Sequence, residues 1–181
     1  MGRKKDNMAL LGSIPKIDSG NFSSRFELGC RLLERGAHAD AYLLFLNLYR
    51  ERERHVAVLY NLALCHVAAG EWEPALRLLE RAMAQLRLNT AGAPSKDPTY
   101  QALVKRQGAG RGYLFPLPES APILASEYTR ECALRLMVDA CAACSLWEQI
   151  SILAKQLPHS DYINVQRARE LMEKQNKTAE A

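Results

Sequence analysis

Two cysteines separated by two residues, Cys141 and Cys144, have the spacing of a redox pair or of half a zinc site. A redox pair needs an exposed first thiol at a strand-to-helix junction, and zinc needs two further ligands at matched spacing. The sequence shows neither, although Cys132 and His159 could in principle complete a zinc set. We therefore expect no metal, and we interpret the cysteines as reduced thiols packed as small hydrophobic side chains, at Cys30, Cys65, Cys132, Cys141 and Cys144.

The remaining reactive residue types do not form a catalytic set. No histidine has a serine or cysteine and a carboxylate at a recognisable catalytic spacing, and the histidines are scattered at His38, His55, His66 and His159. The carboxylates Glu71 and Glu73 flank a turn, where no pocket is implied. The sequence predicts that the protein is not an enzyme.

A glycine-rich stretch, Gly108 to Gly112, could suggest a loop that binds phosphate. Such a loop follows an apolar strand and ends in Gly-Lys-Ser or Gly-Lys-Thr at a helix N-terminus, and both features are missing here. We interpret the stretch as a linker. The sequence therefore implies no nucleotide and no cofactor.

Composition favours one globular domain. The chain has 181 residues, of which 48% are hydrophobic, and this is enough to bury a core. Its net charge of +4 is spread along the chain and argues against a nucleic-acid surface. No apolar run approaches the roughly 20 residues of a membrane span, and the first 13 residues lack a secretory core. We expect a protein of the cytoplasm or the nucleus, with no membrane contact.

The chain is organised around residues 59–86, whose pattern predicts two helices folded back at a turn. Apolar residues recur at steps of three and four on both sides of Gly70. Pro74 lies where the second helix begins, and a proline in the first turn loses no intrahelical hydrogen bond. This stretch predicts a helical hairpin.

The same pattern occurs 34 residues earlier, without a gap. The repeat aligns Gly36 with Gly70 at the turn, and it aligns Ala41 with Ala75 where the helices should cross closely. One copy contains Leu28-Gly29 with Ala41-x3-Phe45, and the next contains Asn61-Leu62-Ala63 with Ala75 and Ala82. Through these residues the chain resembles the tetratricopeptide repeat family, a 34-residue helical hairpin. The signature tryptophan, tyrosine and proline positions hold other residues.

We predict an all-α fold of about three such hairpins, with a long internal loop and a C-terminal capping helix. Aligning Trp147 with Trp72 gives the third, divergent hairpin, with Ser145 at the turn glycine position and a first helix that starts as early as Ala121. The predicted parts are a flexible N-terminal arm (1–21), two repeats (22–89), an irregular insertion (90–130), a third repeat (131–164), and a capping helix with a tail (165–181).

The resemblance implies that the first helix of each hairpin lines a concave groove. At the corresponding positions the groove is mostly apolar, and Asn61 alone can both donate to and accept from a peptide backbone. The predicted partner-binding residues are Phe26, Cys30, Leu33, Tyr60, Asn61, Leu64 and Val67. Co-chaperone members of the family bind an acidic tail through a cationic clamp, but Phe26, Cys30, Cys132 and Leu136 replace four of its five residues here. We therefore exclude that use.

Two occupants of the groove stay open. One is a partner's extended or helical apolar segment. The other is the chain's own Tyr113–Pro118 stretch, in which Tyr113, Leu114, Phe115 and Leu117 are spaced by prolines that favour an extended backbone. In that case the partner surface lies elsewhere, for example on the helix predicted at 38–52, which is apolar nearly all the way round.

The sequence therefore predicts a non-catalytic adaptor or scaffold subunit that binds a protein partner, with no small-molecule substrate. The alternative is a small chaperone or escort that keeps a client's apolar segment soluble. An adaptor stays with its partner through gel filtration, whereas an escort leaves once its client has folded.

Overall fold

The fold is all-α over the described part of the chain. The computed structural model describes residues 21–89, 97–99, 102, 103, 106, 110–158 and 161–179, and within these ranges it contains helices and no strand. The α-helices, in chain order, are α1 (Phe22–Glu34), α2 (His38–Glu51), α3 (Val56–Ala68), α4 (Trp72–Asn89), α5 (Ala121–Leu124), α6 (Ser126–Ala143), α7 (Trp147–Ala154) and α8 (Ile163–Ala179), and a short 3-10 helix covers Gly112–Leu114. The predicted fold class is confirmed.

The helices pack as successive hairpins. Helices α1 and α2 form the first, α3 and α4 the second, and α6 and α7 the third, while α2 packs on α3 and α4 packs on α6. One continuous cluster of buried apolar side chains runs through all three hairpins. Helix α8 covers the last hairpin by packing on α6 and α7, as expected of a helix that closes a repeat array.

All three hairpins turn in the same way. Gly36 and Gly70 both have φ of +76°, and Ser145 has φ of 58° at the equivalent position. In each turn the next residue's N–H bonds a carbonyl five residues back, with N···O distances of 2.9 Å for Ala37 to Leu32, 2.9 Å for Glu71 to His66 and 2.8 Å for Leu146 to Cys141. This left-handed helix ending favours glycine.

The close approach of α1 and α2 explains the small residue at position 29. A Cβ atom added to Gly29 would lie 2.8 Å from Cζ of the Phe45 ring. The Phe45 ring is fully buried and stacks edge-on against Phe26, with 5.4 Å between ring centroids. The glycine is therefore required by packing rather than by backbone conformation.

Some boundaries differ from those expected. The first helix of the third hairpin begins at Ser126, neither at 131 nor continuously from Ala121. Ala125, with φ of −141° and ψ of 54°, interrupts the helix after α5. The capping helix begins at Ile163, two residues before the expected start. The predicted arm lies outside the described residues except for Asn21, whose side chain caps α1 by accepting a hydrogen bond from the Ser24 N–H at 2.9 Å.

Candidate partner-binding groove

The first helices of the three hairpins, α1, α3 and α6, surround a central hollow. Helix α3 places Tyr60 and Asn61 at the centre of this hollow. Both side chains are fully buried. The Asn61 carboxamide donates to the Leu117 carbonyl at 2.9 Å and accepts from the Leu117 N–H at 2.8 Å. One side chain thus satisfies both backbone groups of a residue 56 positions later in the chain.

Tyr113 fixes the same stretch of chain at a second point. Its backbone carbonyl accepts a hydrogen bond from the Tyr60 hydroxyl, and its side-chain hydroxyl donates to Oδ2 of Asp139 at 2.6 Å. Burial raises the pKa of Asp139, although hydrogen bonds from Tyr113 and Asn164 favour the ionised form. Burial also raises the pKa of Tyr113, so the phenol stays protonated and acts as the donor.

We call residues 113–118 the inner segment. Tyr113 and Leu117 are buried in the core, whereas Leu114 and Phe115 point outward with 37% and 60% of their surface exposed. The backbone at Phe115 is extended, with ψ of 154°. The inner segment therefore anchors itself by two side chains and leaves two apolar side chains in solvent.

The seven residues predicted to bind a partner do come together on α1 and α3. Phe26, Leu33, Tyr60, Asn61 and Leu64 are buried within the chain, and Cys30 and Val67 are half-buried. Cys30 lies beside the inner segment, with Sγ 3.7 Å from the Leu117 carbonyl oxygen, and burial raises its pKa to about 12. The partner-binding role of the seven residues stays a prediction.

A surface groove remains beside the inner segment. It has a volume of about 840 Å³ and runs between α1 and the stretch that leads from the inner segment to α5. We call it the open groove. Its helix wall includes Ser23, Glu27 and Glu34, and its opposite wall includes Pro116, Pro118 and Ile123.

The lining of the open groove is more acidic than basic. It contains three carboxylates, Glu27, Glu34 and Glu119, and one guanidinium, that of Arg52. His55 also lines it, and burial lowers the pKa of this imidazole, which favours the neutral form. Nδ1 of His55 accepts from the Val58 N–H at 3.4 Å and caps α3. The groove therefore combines an apolar wall with carboxylates.

A second surface hollow lies on α2. It has a volume of about 510 Å³, and its lining includes Tyr42, Leu43, His66 and Glu71. Nδ1 of His66 lies 2.6 Å from Oε2 of Glu71, within hydrogen-bonding distance, and the Tyr42 ring packs edge-on against the His66 ring. Leu43 is half exposed, whereas four apolar neighbours on this helix are buried, at Ala41, Leu44, Phe45 and Leu48. The apolar character of α2 is thus largely explained by packing inside the chain.

Two polar residues of α6 that were not predicted from the sequence bond the inner segment and the residues before it. Arg135 and Asp139 lie one turn apart on α6, and Arg135 is 2% exposed. A charged residue within the apolar stretch from Cys132 to Val138 was the available signal. A buried charge requires partners, but its spacing in sequence does not say which ones.

The cysteines are free thiols, and four of them, Cys30, Cys65, Cys132 and Cys141, have pKa values raised by burial. Within the described ranges, no three histidine, cysteine or acidic side chains are grouped as metal ligands would be. His159, which could have completed a zinc set, lies outside those ranges. Across the same part of the chain, no helix is both long and hydrophobic enough to cross a bilayer.

Residues 32–106, which include the second turn with its left-handed Gly70, match the family model of the tetratricopeptide repeat. These 75 residues therefore contain tetratricopeptide repeats. Repeats of this family generally mediate protein–protein interaction, and the family is typically non-catalytic. The third hairpin of this repeat protein lies outside the matched residues but has the same turn geometry. Searches of curated proteins and of solved structures gave no significant match.

Proposed function

We propose that this repeat protein is a non-catalytic interaction subunit that binds an extended partner segment in the open groove, while its own inner segment stays fixed in the central hollow. The observation that carries the proposal is the pair of hydrogen bonds between Asn61 and the Leu117 backbone. Asn61 could otherwise both donate to and accept from a partner's backbone, and these two bonds already use its carboxamide.

Displacing the inner segment would be costly. Each hydrogen bond contributes about 0.5–1.5 kcal/mol, and burial of a leucine side chain contributes about 1.5–3 kcal/mol. Displacement would also uncover the hydroxyl of Tyr60 and the carboxylate of Asp139, both of which bond Tyr113. A partner would have to replace all of these contacts before it gained any affinity, so the hollow favours its own segment.

The open groove has what a partner segment needs. Ile123 is 84% exposed, and with Pro116 and Pro118 it forms an apolar wall that gains from being covered. The carboxylates of Glu27 and Glu34 lie on the facing helix. A segment with alternating apolar and basic side chains would bury the first against the wall and pair the second with the helix. We therefore expect the partner segment to be extended, apolar and basic.

The experiment compares two exposed isoleucines. Ile123→Asp changes the open groove, and Ile152→Asp makes the same change on α7, where 59% of the side chain is exposed and no groove residue is involved. Affinity capture from a native extract identifies proteins that the wild type and Ile152→Asp retain but Ile123→Asp loses. The bound segment of each is then made as a peptide and titrated by fluorescence anisotropy.

We expect Ile123→Asp to weaken peptide binding at least about tenfold, since one apolar contact and its desolvation are lost. Charge reversal by Glu27→Lys with Glu34→Lys should weaken it further. Equal affinity for wild type and Ile123→Asp would refute the open groove as the site. Gel filtration of the captured complex then tests the adaptor role. A stable stoichiometric complex supports this role, whereas dissociation of the partner once it has folded refutes it.

A further inference from the structure

The guanidinium of Arg135 contacts both the residues that lead into the inner segment and the C-terminal helix, α8. Arg135 on α6 donates to the Gly110 carbonyl at 2.8 Å and to Oδ1 of Asn164 on α8 at 3.1 Å. Its guanidinium carbon lies 4.2 Å from the centroid of the Tyr113 ring and 4.6 Å from that of Tyr162. The cation thus lies over one aromatic ring of the inner segment and over the ring of Tyr162, the residue just before α8.

Asp139, one turn along the same helix, makes a second bridge. Its Oδ2 accepts from the Tyr113 hydroxyl at 2.6 Å, and its Oδ1 accepts from Nδ2 of Asn164 at 2.9 Å. Asn164 also donates to the Arg135 carbonyl at 3.1 Å. The two oxygens of one half-buried carboxylate therefore bond the inner segment and α8 at the same time.

We propose that docking of α8 and seating of the inner segment are coupled through Arg135 and Asp139, so that the C-terminal helix controls one wall of the open groove. If α8 left, Arg135 would lose a ring and a carboxamide, and Asp139 would lose a donor. Both groups would then be exposed to water, where their bonds to Gly110 and Tyr113 are weaker. Pro116 and Pro118 belong to the segment held by these bonds and also form the groove wall.

The coupling is energetic and therefore reciprocal. A change that loosens α8 must loosen the inner segment, and a change that loosens the inner segment must loosen α8 by the same factor. Independent packing of each element on α6 would give no such effect at a distance.

Hydrogen exchange followed by NMR in the full chain tests this. Asn164→Ala removes the carboxamide, which bonds Arg135 and Asp139 and is not hydrogen-bonded to the inner segment. The matched control is Ile163→Ala, because the neighbouring Ile163 side chain is 70% exposed. The reporter is the Leu117 amide, which is protected by its bond to Asn61.

We expect Asn164→Ala to speed exchange of the Leu117 amide by roughly tenfold, and Ile163→Ala to leave it unchanged. In the reverse direction, Leu117→Ala should speed exchange of amides in α8. Faster exchange confined to α8 in Asn164→Ala would overturn the proposal. If Asn164→Ala does not fold, Asn164→Asp keeps the size of the side chain and the acceptor for Arg135 but loses the donor to Asp139, and it must show the same remote effect.

The effect on partner affinity rests on the proposed function, whereas the exchange experiment does not. Asn164→Ala should weaken binding of the captured peptide about threefold to tenfold, since the groove wall becomes less ordered. If exchange is coupled but the affinity for the peptide does not change, the control of the groove by α8 is refuted. The proposal that the open groove binds the peptide would still stand. Loss of peptide binding in Ile123→Asp concerns only the groove.

Discussion

The side chain of Asn61 pairs with the backbone of Leu117 as a neighbouring strand would. It donates a hydrogen bond to the Leu117 carbonyl at 2.9 Å and accepts one from the Leu117 N–H at 2.8 Å. The pair is buried, so neither partner can exchange its bond for water without opening the hollow. This contact fixes an extended segment to a helix 56 residues away.

Replacement of Asn61 should therefore lower the stability of the fold. Asn61→Asp keeps the shape but places a carboxylate oxygen against the Leu117 carbonyl, and Asn61→Leu leaves both backbone groups without a partner. We expect each to lower the free energy of unfolding by about 2–4 kcal/mol. Urea unfolding followed by circular dichroism measures this, and the exposed substitution Asn47→Asp on α2 is the control. A loss below about 0.5 kcal/mol in Asn61→Leu would contradict the contact.

Two leucines of the inner segment should differ sharply. Leu117 is 3% exposed and Leu114 is 37% exposed, although they are three residues apart. Leu117→Ala should cost about 2–4 kcal/mol because it leaves a cavity in the core, whereas Leu114→Ala should cost under about 1 kcal/mol. Thermal unfolding of the two variants compares them directly. Equal losses would mean that the segment does not lie in the hollow as described.

An alanine at position 29 should destabilise the first hairpin. Alanine has the higher helix propensity, by about 1 kcal/mol, but its Cβ would overlap the Phe45 ring, at a cost of about 1–3 kcal/mol. Phe45→Leu in the same chain removes the overlap. A double-mutant cycle measured by urea unfolding should show a favourable coupling of about 1 kcal/mol, and strict additivity would exclude the steric explanation.

Ser145→Gly should stabilise the protein. Ser145 has the same left-handed backbone, with φ of 58°, that Gly36 and Gly70 adopt in the other two turns. Because a side chain is disfavoured there, glycine should raise the free energy of unfolding by up to about 1 kcal/mol. The converse variant, Gly70→Ala, should lower it by a similar amount. A decrease in the melting temperature of Ser145→Gly would show that the serine side chain stabilises the turn.

Acidification should weaken the fold through His55. Burial lowers the pKa of this histidine below 6.5, so the unfolded chain takes up the proton first as the pH falls. Stability is therefore lost between pH 6.5 and the lower folded pKa, and His55 has no effect above pH 6.5. The proton also removes the Nδ1 acceptor that caps α3 through Val58.

Comparing melting temperatures at about pH 7.5 and about pH 5.5 measures the effect. His55→Asn keeps a capping oxygen without a titrating ring, so its melting temperature should fall less than that of the wild type. Asp139, whose pKa is raised, acts in the opposite direction and equally in both proteins. Identical pH dependence in wild type and variant would exclude His55.

Local sequence determined the helices and their turns. Steps of three and four between apolar residues are fixed by the geometry of one helix, and a left-handed ending at Gly36 or Gly70 is fixed by one residue type. The spacing of 34 residues then indicated that the same helical hairpin occurs twice. The sequence also predicts the turn of the third hairpin at Ser145, where the backbone is left-handed, because a helix ending depends on residues within one turn.

Only the tertiary structure decided what fills the hollow. The contact of Asn61 with Leu117, and the stacking of Tyr113 on Arg135, join residues that no periodicity relates. Their pairing depends on the path of the chain between α4 and α6 and on the need of every buried polar group for a partner. A sequence lists the groups that must be paired, but the pairing itself follows from how the helices are stacked.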